Sequence, residues 1–170
     1  MVIKIFYVAV AIFAVAMVFL SLQSPFSDDF IKSGIKSPAT EFKNVVDYEV
    51  GDKINGKFTS TNGVSYKNSD EFENFKAIYI NDINHTLSSK IAINKGDNII
   101  FKKDVNYTNS NNLNFLSEEA IYNTKTKIAK SNVPFVMLQN GDKITGKSLK
   151  YDLNKKQTFS KGVHGCFQEK

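Results

Sequence analysis

From residue 41 onward the chain never repeats its apolar residues at helical spacing for long enough to build an amphipathic helix. Short runs rich in Val, Ile, Phe, Tyr and Thr alternate instead with clusters of Asn, Gly, Asp and Lys. β-Branched and aromatic side chains fill a pleated surface, while Asn, Asp and Gly adopt the backbone angles of tight turns. The alternation therefore predicts many short antiparallel strands joined by hairpins, an all-β class. Strands are expected at residues 42–50, 53–59, 64–66, 75–80, 87–94, 98–102, 114–122, 126–129, 135–138, 143–151, 157–160 and 162–167. Turns are expected at Asn62-Gly63, Gly96-Asp97 and Asn140-Gly141. At residues 70–75 a short helical turn competes with a strand.

The turns carry an echo. Gly51-Asp52-Lys53-Ile54-Asn55-Gly56-Lys57 returns as Gly141-Asp142-Lys143-Ile144-Thr145-Gly146-Lys147, with Gly96-Asp97-Asn98-Ile99 midway, so the three starts are 45 residues apart each time. Gly-Asp is ordinary turn chemistry, but a seven-residue match suggests repeated hairpin units stacked in one elongated sheet.

The N-terminus differs. The segment from Ile5 to Leu22 reads IFYVAVAIFAVAMVFLSL, without charge or Pro. Eighteen helical residues span about 27 Å, close to the hydrocarbon thickness of a bilayer. A signal peptide is the rival reading, since Ala14-Val15-Ala16 fits a cleavage site, but the apolar run continues past it. Lys4 before the segment and Asp28 and Asp29 after it orient the N-terminus to the cytoplasm. The expected organisation is residues 1–23 as cytoplasmic tip and membrane anchor, 24–40 as linker and 41–170 as the β domain. The small residues Ala9, Ala11, Ala14 and Ala16 would permit close helix contact, or serve as filler in a passive anchor.

Composition removes several functions. All 22 basic residues are Lys, so the bidentate contacts by which Arg reads phosphates and bases are absent, and nucleic acid is not an expected partner. One Cys and two His leave no material for a disulfide framework or a Cys-based zinc cluster, and no metal or cofactor is expected. His164 and Cys166 stand two apart on a predicted strand, a hint of a Cys/His nucleophile. An anchored transpeptidase resembling the sortases would also need an Arg, so no catalytic residue is assigned and no enzyme is expected. Asp70, Glu71 and Glu73 read as solvated loop charge, and Asp104, Asp142 and Asp152 lack calcium-loop spacing. Residues 125–170 carry ten Lys against three acids, a basic third that would face anionic groups or simply be solvated.

The anchor, the hairpin repeats and above all the stretch from Gly141 through Tyr151-Asp152 to Gly162-Val163-His164-Gly165 resemble the LptC family of lipopolysaccharide export proteins. The resemblance implies a twisted, V-shaped antiparallel β-jellyroll, open along one side to an apolar groove. It implies an inner-membrane, single-pass protein whose main domain lies in the periplasm. Its partners would be lipopolysaccharide, an ABC transporter complex at the anchor and the N-terminal edge near residues 42–50, and a periplasmic bridge protein at the C-terminal edge strand. A membrane-anchored β-sandwich that binds only protein is the alternative, and a filled core would favour it.

On that reading, groove-lining residues are expected from strand alternation: Phe58, Ile78 and Ile80; Ile91 and Ile93; Ile99 and Phe101; Phe115 and Ile121; Phe135 and Met137; Ile144 and Leu149. A one-residue register error would invert the face. Lys90 and Lys102 are expected outside the groove. The partner edge is expected at Phe159, Val163, Gly165 and Phe167, where strand character without Pro would accept an added strand.

Overall fold

The computed structural model describes residues 39–52 and 54–167. The apolar segment from Ile5 to Leu22 and the linker through residue 38 lie outside them. Among the described residues the regular elements are strands, and no helix there is long and apolar enough to cross a membrane. In chain order they are β1 (Thr40–Val50), β2 (Ile54–Tyr66), β3 (Ser69–Tyr79), β4 (His85–Lys95), β5 (Asn98–Asn109), β6 (Leu113–Asn123), β7 (Ile128–Ser131), β8 (Phe135–Gln139), β9 (Asp142–Gly146), β10 (Ser148–Asp152), β11 (Gln157–Lys161) and β12 (His164–Cys166). All pair antiparallel in one 12-stranded sheet, the class expected from the alternation.

β1 to β6 form a meander in which each strand pairs with the next. Beyond β6 the chain continues the meander with strands broken in two. The first half of β6 pairs with β8 and its last residues pair with β7, so the sheet forks. One branch runs β7-β10-β11 and the other β8-β9-β12. The breaks fall at 132–134, which ends in Pro134, at Lys147, and at Gly162-Val163. Pro has no N–H for a ladder, and Gly162 has φ 62°, a conformation costly for any residue with a Cβ.

Two-residue turns close three hairpins, with Tyr66 opposite Ser69, Lys95 opposite Asn98 and Gln139 opposite Asp142. Asn140 and Gly141 take φ 52° and 96°, the left-handed pair that matches the twist of the flanking strands. Asn62-Gly63, expected to turn, lies inside β2 instead. Gly63 sits opposite Phe72, and a Cβ there would lie 3.3 Å from the Phe72 ring and from Val45 Cγ2. Here glycine admits an aromatic ring rather than turning the chain. Residues 70–75 belong to β3, and the expected strand 143–151 is split at Lys147.

The 45-residue echo marks connections at opposite ends of the sheet. Three long strands, β2 to β4, separate Gly51 from Gly96, and β5, β6 and the strand broken into β7 and β8 separate Gly96 from Gly141. An odd number of antiparallel strands reverses the end. Gly51 and Gly141 therefore lie at one end and Gly96 at the other, so the echo is turn chemistry on a sheet that does not repeat every 45 residues.

A seam of irregularities crosses the strands. Ser60 Oγ donates to Asn62 O (3.1 Å), Ser89 Oγ to Ile91 O (3.0 Å), Ser117 Oγ to Glu119 O (3.2 Å) and Ser131 Oγ to Val133 O (3.0 Å). Each serine satisfies a carbonyl two residues on, where its strand bends. The register shifts at this level between Ser88 and Ile91 and between Lys102 and Val105. On the strands between them, Asn44, Asn74, Lys103 and Asp104 take positive φ. Strands of 11 to 13 residues are long, and bulges let them curve without losing their partners.

Candidate functional site

Register fixes which side chains share a face. On one side of the seam, Phe58, Ala77, Leu87, Tyr107, Phe115, Met137 and Ile144 form a continuous row from β2 to β9. On the other side, Gly63, Phe72, Ala92, Phe101 and Ala120 form a second row, with Ile99, Tyr122, Ala129 and Tyr151 as a third. The core ties the two sides together. Ala92, Phe101 and Val105 are buried, and Phe72, Phe75, Leu87, Ile99, Ala120 and Tyr122 pack against them. These rows make up the inner face.

Aromatic rings meet across the seam. Phe58 touches Phe72 edge-on and stacks on Phe75, both at 5.6 Å between centroids, and Phe75 lies 5.6 Å from Phe101. Ala92 is the small floor beneath these rings, flanked in register by Phe72 and Phe101, which is why an alanine is 1% exposed there. Phe115 and Phe135 stack at 5.8 Å further along. Gly146 gives Phe135 its place, since a Cβ at that glycine would fall 2.4 Å from the ring.

Few apolar residues are fully buried. Among the described residues they are Ala92, Phe101, Val105 and Phe135. The rest of the inner face, including Phe58, Phe72, Phe75, Leu87, Phe115, Met137, Ile144 and Leu149, is half-buried. Among the described residues the inner face is an apolar surface with only part of its area covered.

Polar groups stand at its margin. His85 Nδ1 and the Tyr107 hydroxyl are 2.7 Å apart, and their rings stack at 5.9 Å. Burial pushes the Tyr107 hydroxyl above its ordinary pKa; a hydrogen bond with Asn109 opposes this and nearby Tyr151 adds to it. Beside the seam lies a recess of about 510 Å³, lined by Ser88, Asn106, Leu116 and Val136, which share one register row on the outer face, with Asp104 and Glu118 next to them. Val105, Ser117 and Phe135 of the inner face also border it. Lys90 pairs with Asp104 at 2.6 Å, and that bond holds its ammonium above the ordinary range. No cluster of three or more His, Cys, Asp or Glu suited to a metal occurs among the described residues.

Of the residues expected to line a groove, the inner face brings together Phe58, Ile99, Phe101, Phe115, Phe135, Met137, Ile144 and Leu149. Ile78, Ile91, Ile93 and Ile121 lie on the outer face. Ile91 is opposite Glu73 and Lys102, Ile93 opposite Glu71, Ile121 opposite Lys130 and Ile78 opposite Lys57. Lys102, expected outside, thus shares a face with Ile91, expected inside. Ile80 follows β3 at a sheet end and is 43% exposed. Phe72, Phe75, Leu87, Val105, Tyr107 and Tyr122 also belong to the inner face and were not expected there. Phe72 and Phe75 are three apart and share it only because Asn74 (φ 50°) shifts the phase of β3.

The sheet ends in strands paired on one side only. β1 is exposed almost throughout, with Phe42, Val46, Tyr48 and Val50 each about half or more exposed. β11 and β12 end the two branches. Phe159 (57% exposed) lies under Lys150 Nζ on the outer face, Gly165 pairs with Ile144, and Val163 and Phe167 are exposed beside them. Cys166 is a free, exposed thiol.

Comparison with known proteins gives one family. The family described as lipopolysaccharide-assembly, LptC-related, matches residues 7–167. No curated protein matches the chain. Among solved structures, LptH, the LptA-homologous periplasmic component of the lipopolysaccharide transport device of Pseudomonas aeruginosa, is similar at a TM-score of 0.45 and 10% identity, covering 76% of this chain and 94% of its own.

Proposed function

This chain belongs to the LptC family of lipopolysaccharide-assembly proteins, and from that premise we propose that its inner face carries the acyl chains of lipopolysaccharide between partners docked at its two edges. The observation that supports this most directly is the partly covered inner face. Four buried apolar residues cannot account for so many aromatic and aliphatic side chains turned the same way. Each CH₂ moved from water to such a surface gains about 0.8 kcal/mol, so a lipid with several chains needs a continuous apolar trough rather than directional bonds. An inner row that runs from β2 to β9 supports this reading.

In this reading the protein performs transfer rather than catalysis. β1 receives the donor, an inner-membrane ABC transporter complex. β11 and β12 present Phe159, Val163, Gly165 and Phe167 to a periplasmic bridge protein, because unpaired N–H and C=O groups at an edge accept a further strand. The segment from Ile5 to Leu22 anchors the domain to the inner membrane, with the β domain in the periplasm. The domain division at residues 23 and 40 follows from the same reading.

Site-specific photo-crosslinking tests the groove. Probes at Phe58, Phe101, Phe115 and Met137 should capture lipopolysaccharide, whereas probes at Ile91, Ile93 and Lys102 should not. Equal labelling of both faces would remove the proposal. Deleting residues 157–170 should abolish bridge binding and leave transporter association intact; normal bridge binding by the truncated, folded protein would place the docking edge elsewhere. N-terminal sequencing of the mature protein decides whether the apolar segment is retained, and a start at Met17 would make it a signal peptide.

A further inference from the structure

The connections at the two ends of the sheet differ in charge. At one end are the tips joining β2 to β3, β4 to β5, β6 to β7 and β10 to β11, which hold Lys67, Lys125, Lys127, Lys155 and Lys156, with Lys95 at the end of β4, against Asp97 and, at the end of β10, Asp152. At the other end, the connections carry Asp52, Asp82 and the asparagines Asn81, Asn84, Asn111, Asn112 and Asn140, with Lys53 the single lysine in their sequence. Along the sheet each lysine tip is two strands from the next, a spacing of about 10 Å. All six lysines are exposed, and among the described residues none is held in an ion pair.

Three of these tips are stitched together. Thr124 N and Oγ1 donate to Asp97 O at 2.8 and 3.1 Å, and Asn123 Nδ2 donates to Asn98 Oδ1 at 2.9 Å. Leu153 N donates to Lys127 O at 3.1 Å, and Asn154 Nδ2 to Thr126 O at 3.1 Å. Two of the loops are built alike. Asn123 Oδ1 accepts from the backbone N–H of Lys125 and Thr126, and Asp152 Oδ1 from those of Asn154 and Lys155. Each loop ends on a lysine in the left-handed conformation, Lys127 at φ 58° and Lys156 at φ 54°. Gly or Asn would sit there with less strain, so the turn does not itself ask for lysine. The inner-face row of Ile99, Tyr122, Ala129 and Tyr151 borders this ledge.

We propose that the lysine ledge is the phosphate-facing rim of the inner face, which turns the anionic headgroup of a bound amphiphile toward one end of the sheet and away from the Asn/Asp end. This rests on the lipid-carrying reading and adds to it the side on which the headgroup lies. Lysine meets phosphate as a point charge, and tips whose backbones are fixed by hydrogen bonds leave only side-chain freedom to be lost when a headgroup binds.

The test uses the full chain and two probes, bisphosphorylated lipid A and the same lipid with its phosphates removed. One variant carries Lys95→Gln, Lys125→Gln, Lys155→Gln, Lys127→Asn and Lys156→Asn, Asn being suited to the left-handed positions. A charge-matched control carries Lys43, Lys57, Lys76, Lys102 and Lys130, all on the outer face, changed to Gln. The native chain should prefer the phosphorylated probe about tenfold at low salt, and the preference should shrink as salt rises. The ledge variant should bind both probes within about twofold, with its affinity for the dephosphorylated lipid unchanged, and the control should keep the native preference. A ledge variant that keeps the preference, or a control that loses it equally, overturns the proposal. So does a ledge variant that loses only binding to phosphatidylglycerol vesicles, because the lysines would then face a membrane. Failure of the native chain to bind either probe would instead defeat the lipid-carrying reading on which the ledge depends.

Discussion

The strands before the fork and those after it solve the same bending problem differently. β2 to β6 cross the seam as unbroken strands, absorbing the bend in bulges and in residues of positive φ while keeping both neighbours. After β6 each long strand is cut in two, so the ladder splits and a second free end appears at β12 beside β11. A bulge sacrifices one or two ladder bonds and preserves cooperativity along the sheet. A full break gives the two parts separate partners, and each part then depends on its own short contacts. Phe101 and Phe135 stand at comparable depth in these two regimes, 5% and 3% exposed, and make the comparison testable.

The largest expected effect is from Phe101→Ala, which should lower stability by about 3–5 kcal/mol and melt the described sheet in one transition. Phe135→Ala should instead cost less in global melting while exposing β8, β9 and β12 first to hydrogen exchange. Identical exchange patterns for the two variants would erase the distinction. Next comes Gly146→Ala. With the new Cβ 2.4 Å from Phe135, a loss of about 1–3 kcal/mol is expected, larger than for Gly63→Ala, where the nearest atoms are 3.3 Å away. Denaturant titration of the pair checks the order, and a reversed order would show that the short branch relaxes more easily than the meander.

Smaller still are the seam serines. Removing the Ser89 or Ser131 hydroxyl should cost about 1 kcal/mol, because each leaves a carbonyl at the bend without its donor. Ser131→Ala should cost more than Ser89→Ala, since the Ser131 hydroxyl also lies 3.0 Å from that of Ser117 at the fork; equal costs would mean that the fork adds no strain. The smallest effect concerns Tyr107. Its folded pKa is raised, so above about pH 10 the unfolded chain loses this proton first and stability falls as pH rises toward the folded value. Tyr107→Phe should flatten that decline slightly, and an unchanged alkaline profile would show that the hydroxyl titrates alike in both states.

How much of the candidate site was legible can be followed along particular strands. Period-two alternation places Ile99 with Phe101 and Phe135 with Met137 correctly, since each pair lies on one side of the seam. It fails across the seam, where Phe72 and Phe75 or Ser89 and Ala92 share a face at a spacing of three. It also favours bulk. Ile91 and Ile93 are larger than Ala92, yet Ala92 faces inward because Phe72 and Phe101 already fill the space beside it. The seam serines, 29, 28 and then 14 residues apart, are the one periodic mark that would have located the bends.

The all-β class and the turns at Gly96-Asp97 and Asn140-Gly141 were legible in the sequence alone. These depend on local backbone preference and on which residue types are present at all. The face each strand turns inward, the fork at β6, the use of Gly63 as space for a ring and the gathering of lysine tips on a single rim were decided by the tertiary structure. Each depends on register between strands far apart in the chain, and a single bulged residue is enough to reverse it.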